Sequence, residues 1–150
     1  MSAVQYVIFA LQDQIYGVEI FKIKEVMSYR KVTPLPNMKG FIKGIINLRG
    51  LIIPVFDLKD KLHLPLSSYT PFHVIIVMEI AGRIMGIIAD EISDVIELSP
   101  QDVQSTTNLP PGLKAQYIKG IGRQEQELII LLDMDHILSQ EELETLDATS

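Results

Sequence analysis

KGFIKGIINLRGLIIPVFDL, residues 39–58, decides how the rest of the chain is read. Two apolar, strand-like runs, 41–48 and 51–58, are separated by the pair Arg49-Gly50, the pattern of a β-hairpin. Glycines at 40, 44 and 50 mark places where the backbone needs freedom, and Pro54 suits an edge or bulged strand better than a central one. Arg49 is the only charged residue between Lys43 and Asp57. Beside a turn glycine, its guanidinium projects from a fixed place. An ordinary surface turn is the alternative reading of this stretch taken alone.

Working outward, 6–11 (YVIFAL) and 15–20 (IYGVEI) form a second hairpin candidate across the polar turn 12–14. The segment 21–27 alternates loosely and reads as a strand or a single helical turn. Residues 32–37 (VTPLPN) cannot be helix interior, because each proline removes a donor and restricts its predecessor. A short helical turn is expected over 38–43. A polar loop with two prolines and two serines, 59–71, is the best internal boundary.

Beyond that boundary the first half is replayed. IAGRIMG (80–86) has the spacing of LQDQIYG (11–17) at an offset of 69, and ISDV (92–95) falls on IKEV (23–26) at the same offset. YIKG (117–120) then matches FIKG (41–44), and LIILLDM (128–134) matches LIIPVFDL (51–58) around Asp133 and Asp57, both at an offset of 76. The seven extra residues fall in the proline-rich stretch 98–116. Four blocks in one order indicate a tandem repeat. Each half holds about five short strands bounded by Gly and Pro, the signature of a small closed barrel or sandwich. A barrel of that size buries little surface alone, so the two are expected to share an apolar interface. Only 135–146 reads as helical, with Ser139 and Glu142 spaced as a capping box. The repeat is unequal at the opening hairpin: the second-half counterpart, 121–127 (IGRQEQE), reads as a longer polar loop without the Asn-Leu-Arg-Gly turn.

The composition of the 150 residues, 47% hydrophobic and 21% charged, is that of an ordinary globular domain. The start does not read as a signal peptide, and no apolar run approaches the roughly 20 residues that span a bilayer, so a cytoplasmic protein is expected. The net charge of −6 is divided: residues 1–61 carry nine basic and five acidic residues (+4), residues 62–150 four basic and fourteen acidic (−10). The overall sign argues against broad nucleic-acid binding. Ends of opposite sign suit a module docking different surfaces on different partners, and head-to-tail alternation with a partner domain is a hypothesis resting on this charge count.

Reaction chemistry is not legible. Without cysteine there is no disulfide, thiolate nucleophile or sulfur-ligated zinc. His63, His73 and His136 are scattered, without the i, i+4 spacing of a helical metal site. Asp57 with Asp60, and Asp90 with Glu91 and Asp94, read as solvated turns. Neither a nucleophile elbow nor a phosphate-cradling glycine loop occurs. A non-catalytic chain, with no metal or cofactor, is expected.

GIINLRGLIIPVFDL (44–58), YGVEIFKIKEV (16–26) and GIIADEISDVIEL (86–98), in this order and spacing, resemble the CheW family of bacterial chemotaxis coupling proteins. The resemblance runs from about Tyr6 to the C-terminal helix, and the length fits a free-standing coupling protein better than the CheV-type fusion or the kinase CheA. It implies an all-β fold: two five-stranded SH3-like or OB-like β-barrel subdomains packed on a shared hydrophobic core, with short helices and a C-terminal helix. On this reading 1–150 is a single CheW-like domain, with approximate subdomains over 1–64 and 72–138, exchange of terminal strands between barrels allowed, and an acidic helix or tail over 139–150.

The resemblance further implies a cytoplasmic adaptor tying the histidine kinase CheA, through its CheW-like regulatory domain, to the cytoplasmic tips of methyl-accepting chemoreceptors. Such a protein joins membrane receptor arrays through its partners, without membrane insertion or nucleic acid. By motif position Arg49 is the leading receptor-contact candidate, Ile23 and Glu25 are further contact candidates, and Gly44 shapes that surface. Plain core packing is the alternative for Ile23. A small barrel module binding single-stranded nucleic acid or another protein partner is the alternative for the whole chain.

Overall fold

The computed structural model describes residues 3–36, 41–106 and 116–149. Among these residues the chain forms β1 (Val4–Leu11), β2 (Gln14–Glu19), β3 (Ile23–Ser28), β4 (Ile42–Leu48), β5 (Leu51–Asp57), α1 (Leu58–Lys61), β6 (Val74–Ile80), β7 (Arg83–Ala89), β8 (Glu91–Leu98), β9 (Val103–Ser105), β10 (Ile118–Gln124), β11 (Glu127–Leu132) and α2 (Gln140–Thr149). Three-residue 3-10 turns at Ile20–Lys22, Pro100–Asp102 and Met134–His136 join several of them. The protein is mainly β, in two sheets. One runs β8-β1-β2-β11-β10-β9 and the other β3-β6-β7-β5-β4.

Each sheet draws on both halves of the chain. The β1–β2 hairpin joins the late strands, and the β6–β7 hairpin joins the early ones. An internal two-fold relates the sheets, and the offsets of the sequence repeat carry it. In the single parallel contact of each sheet, Leu131 pairs with Gly17 and Val55 pairs with Gly86; these pairs are equivalent under the offsets 76 and 69. Both glycines are packed by the aliphatic partner they face, Leu131 or Val55. Register shifts recur at Ile42/Gly44 and Ile118/Gly120, again 76 residues apart. At these bulges the carbonyl of Thr33 crowds Gly44 and that of Gln104 crowds Gly120. The sixth strand β9 therefore has a counterpart in the first half, reduced to the bridge Thr33–Ile45.

Alternation along the strands divides the buried side chains into three cores. Val32, Ile46, Ile53, Val55, Ile75, Val77 and Ile88 fill the five-stranded subdomain. Tyr6, Ile8, Ile96, Leu98, Ile129 and Leu131 fill the six-stranded one. The residues between them in sequence point the other way: Phe9, Val18, Phe56, Ile76 and Ile87 join α2's Leu146 in the largest core, shared by the two sheets. Central strands are thus buried on both faces, which is why segments such as VIIVM read as unbroken apolar runs.

Several local expectations are corrected. Pro54 lies in an internal strand, not at an edge. It is tolerated because Ile45, its partner on β4, exchanges both backbone hydrogen bonds with Thr33, so no ladder bond falls at the Ile45–Pro54 pair. The parallel ladder to β7 starts only at Val55. Of the helical turn expected over 38–43, residues 38–40 lie outside the described residues and Ile42 and Lys43 are strand. The stretch 59–71 opens as the short helix α1, whose Lys59 is buried. Asp57 is not in a solvated turn either: it is fully buried, accepting from the Lys59 amide at 2.9 Å and the Tyr69 hydroxyl at 2.6 Å. The second-half counterpart of the opening hairpin is no longer loop. Gln124 pairs with Glu127 across the two-residue turn Glu125-Gln126, as Leu48 pairs with Leu51 across Arg49-Gly50. The helical segment begins later than expected, as α2 at Gln140, and its capping box is formed: the Glu142 amide donates to Ser139 Oγ at 3.1 Å and the Ser139 amide to Glu142 Oε1 at 2.8 Å.

Candidate functional site

The tip of the β4–β5 hairpin carries Arg49 and Gly50 with φ of +50° and +90°, the two positive values of a type I′ turn. That turn matches the right-handed twist of its strands and favours Asn, Asp or Gly at its first central position, so an arginine there is held against backbone preference. Asn47 secures the turn, its Oδ1 accepting from the Gly50 amide at 2.8 Å. From the far end of β3, Arg30 Nη2 donates to the Asn47 carbonyl oxygen at 2.6 Å.

Arg49 reaches back across the open seam between β4 and β3, the two edges of the five-stranded sheet, and forms a forked ion pair with Glu25. The second arm of the fork, Nη1 to Oε2, is 3.4 Å. The Glu25 carboxyl is held below the usual glutamate range, first by the hydrogen bond from Arg49 and, against partial burial, by the charges of Arg49 and Arg30. Its folded form is therefore favoured above the ordinary glutamate pKa, and the pair weakens as pH falls through the lowered value. The arginine remains 73% exposed in the pair, so most of its donors still face solvent.

The four residues picked out by motif position lie on both sides of this seam, Ile23 and Glu25 on β3 and Gly44 and Arg49 on the β4–β5 hairpin, in different roles. Arg49 and Glu25 touch. Ile23, two residues before Glu25, is half-buried and packs against the shared core. The register shift of β3 against β6 falls between Ile23 and Glu25, a bulge that lets two residues of nominally one face point apart. Gly44 stands behind the turn: a Cβ there would lie 2.4 Å from the Thr33 carbonyl oxygen. Exposed Val26, Leu51 and Ile52 flank the ion pair with apolar surface, Leu51 and Ile52 being more than half exposed.

Sequence reasoning missed Arg30 and Asn47. The Asn before the Leu-Arg-Gly run carried a signal, since Asn side chains commonly bond nearby backbone in turns; here it reaches the Gly50 amide. Nothing in the sequence signalled Arg30. The second barrel repeats the turn without its chemistry. At the positions equivalent to Arg49 and Glu25 it has Glu125, also at positive φ (+57°), and Asp94, so the cross-seam pair of opposite charges belongs to the first barrel alone.

Among the described residues no group of His, Asp and Glu is placed to hold a metal ion. No helix among them is long and apolar enough to cross a membrane.

Residues 5–142 match the family described as CheW-like domain. The chain is 35% identical over 143 residues to the chemotaxis protein CheW of Klebsiella aerogenes, covering 95% of this chain and 86% of that one. It is also 35% identical over 146 residues to the chemotaxis protein CheW of Treponema pallidum, with the same coverages. The crystal structure of the scaffolding protein TtCheW from Thermoanaerobacter tengcongensis superposes with a TM-score of 0.83 at 30% identity, over 95% of this chain and 97% of that one. Matched along nearly its whole length in sequence and in fold, the chain belongs to the CheW family of chemotaxis scaffold proteins.

Proposed function

We propose that the protein is a non-catalytic coupling scaffold that ties the cytoplasmic tips of methyl-accepting chemoreceptors to the regulatory, CheW-like domain of the histidine kinase CheA, and so passes receptor state to kinase activity. It works in the cytoplasm and reaches the membrane only through those partners. The observation that carries the reading is the β4–β5 tip: an exposed guanidinium paired with Glu25, on a turn that Arg30 braces through the Asn47 carbonyl, with exposed Leu51, Ile52 and Val26 next to the turn and to Glu25 in the chain. An exposed arginine with fixed geometry beside apolar surface is what protein–protein hot spots are made of. We assign this surface to the receptor, with Arg49 and Glu25 as its polar contacts, Gly44 as the residue that shapes it, and Ile23 as support beneath.

A scaffold of this kind supplies binding energy only. It shifts the kinase equilibrium by the difference between its affinities for the two receptor states, since a ligand that binds both states equally shifts nothing. The partners are separable by mutation. Arg49→Ala is expected to weaken binding to a receptor cytoplasmic fragment tenfold or more, a loss of roughly 1.4 kcal/mol, while binding to the isolated kinase regulatory domain is unchanged. Calorimetric titration against each partner checks this. Equal losses toward both partners, or none toward the receptor, would remove Arg49 from the receptor surface.

A further inference from the structure

Two carboxylates at the boundary between the sheets each join a backbone amide of one hairpin turn to a lysine. Asp90 is the one residue between β7 of the five-stranded sheet and β8 of the six-stranded sheet. Its Oδ2 accepts from the Gln12 amide, in the β1–β2 turn of the six-stranded sheet, at 2.7 Å. Its Oδ1 faces the five-stranded side, 2.7 Å from Lys59 Nζ in α1 and 3.5 Å from the His73 ring. At the other crossing, Asp135 Oδ1 accepts from the Ala81 amide, in the β6–β7 turn, at 2.9 Å, and its Oδ2 lies 2.5 Å from Lys22 Nζ, in the turn between β2 and β3.

These are one device in two copies. Gln12 and Ala81 are equivalent at the offset of 69, and both hold positive φ, +57° and +50°. Lys59 and Asp135 are equivalent at the offset of 76. Asp90 and Lys22 both lie in the strand-to-strand crossings, one position apart in the repeat, since the offset of 69 sets Lys22 against Glu91. The charges are exchanged between the copies: the crossing residue is acid in one and base in the other, and the residue after the hairpin is the reverse. In each copy the carboxylate takes one hydrogen bond from the tip of a hairpin, and the ion pair joins a crossing residue to the segment that follows a hairpin, Lys59 after β5 or Asp135 after β11.

The copies differ in exposure. Lys59 and Asp90 are 2% and 24% exposed, Lys22 and Asp135 22% and 38%, so the contrast lies chiefly in the buried lysine. Lys22 and Asp135 also line a cleft of about 310 Å³, together with Lys119, Asp133 and Phe21, whose ring is 68% exposed. A water-accessible pair is screened and readily exchanged, a buried one much less so.

We propose that the two ion pairs are matched struts that fix the angle between the barrels, with Lys59–Asp90 as the permanent joint and Lys22–Asp135 as the latch that yields. Lys22 and Asp135 are then positioning residues: they touch no partner in this role, but set how the surfaces of one barrel lie relative to those of the other. The inference rests on the fold, not on the assignment of partners, and its test needs neither receptor nor kinase.

The chain lacks cysteine, so Ser28→Cys on β3 and Glu97→Cys on β8, both exposed, place one nitroxide on each sheet of the full chain. Pulsed electron-spin distance measurement should give a narrow distribution in this parent. Lys22→Met and Asp135→Asn should each shift or broaden it, while Lys22→Arg and the exposed control Arg123→Gln leave it as in the parent. Raising salt to about 1 M, where the screening length falls to about 3 Å, should broaden the parent and add nothing to Lys22→Met. The salt response of the parent is read even if Lys22→Met fails to fold. An unaltered distribution in folded Lys22→Met, or a parent distribution indifferent to salt, would overturn the proposal.

Discussion

Arg49 occupies a backbone conformation that glycine would adopt without strain, so its structural role can be separated from the receptor contact proposed for it. Arg49→Gly should leave the melting temperature unchanged or raised, because the turn gains a residue suited to positive φ even as the pair with Glu25 is lost. Receptor binding should fall as it does in Arg49→Ala. Thermal unfolding alongside titration checks both halves; a clear drop in melting temperature for Arg49→Gly would make the arginine a structural residue. Gly44 is the converse case. Gly44→Ala sets a methyl 2.4 Å from the Thr33 carbonyl and should destabilise by about 1–3 kcal/mol, measurable by denaturant unfolding. At this scale the sequence pointed to Arg49 because it is a lone charge beside a turn glycine. The pairing with Glu25 was not legible, because the two residues lie 24 apart and meet only where the edges β3 and β4 approach.

The hairpin, repeated as an element, was the most legible part of the fold. Apolar runs, glycines and the two offsets located most of the strands, and the equivalences Val55–Gly86 and Leu131–Gly17 follow from them. What the pattern did not contain was sheet membership. Strand composition says that β1–β2 and β6–β7 are hairpins, but which sheet each joins is decided by long-range packing of Phe9, Val18, Ile76 and Ile87 into the shared core. The turn at 125–126 was misjudged for a related reason: polar residues mimic a long loop, while the ladder on both sides continues to the last pair. The C-terminal helix α2 is held by its cap and by two ion pairs to other elements, Glu142 with Lys61 of α1 and Asp147 with Arg83 of β7. Burial pushes the Glu142 carboxyl up, but Lys61 and the Ser139 cap outweigh it and hold it below the usual range. Ser139→Ala should cost about 1 kcal/mol and raise amide exchange in α2 before it affects the sheets.

For the whole molecule, the ion pair whose loss should cost most is the one with a buried lysine at the boundary between the sheets, Lys59–Asp90. Lys59→Ala removes the buried partner of Asp90 and should cost about 3–5 kcal/mol, a large share of the roughly 5–15 kcal/mol that holds a domain folded. Asp90 and Asp135 respond to acid in the same direction. Burial raises each carboxyl, but for Asp90 the Lys59 and Gln12 contacts, and for Asp135 the Lys22 and Ala81 contacts, prevail and leave both lowered. A lowered folded pKa contributes stability that is full above the ordinary aspartate value of about 3.9 and is lost as pH falls through the folded one. Unfolding free energy should therefore be level from about pH 5 upward and fall steeply below about pH 4, with a shallower fall in Asp135→Asn. On the proposed function, the paired barrels would present the Arg49 tip and the rest of the surface to different partners at once, as coupling requires. The central claim is tested most directly by reconstituting the cognate kinase with receptor-bearing membranes and measuring ATP-dependent autophosphorylation with and without this protein. Receptor-dependent, attractant-sensitive kinase activity only when the protein is present is the predicted result. Kinase output that is the same with and without it would contradict the account.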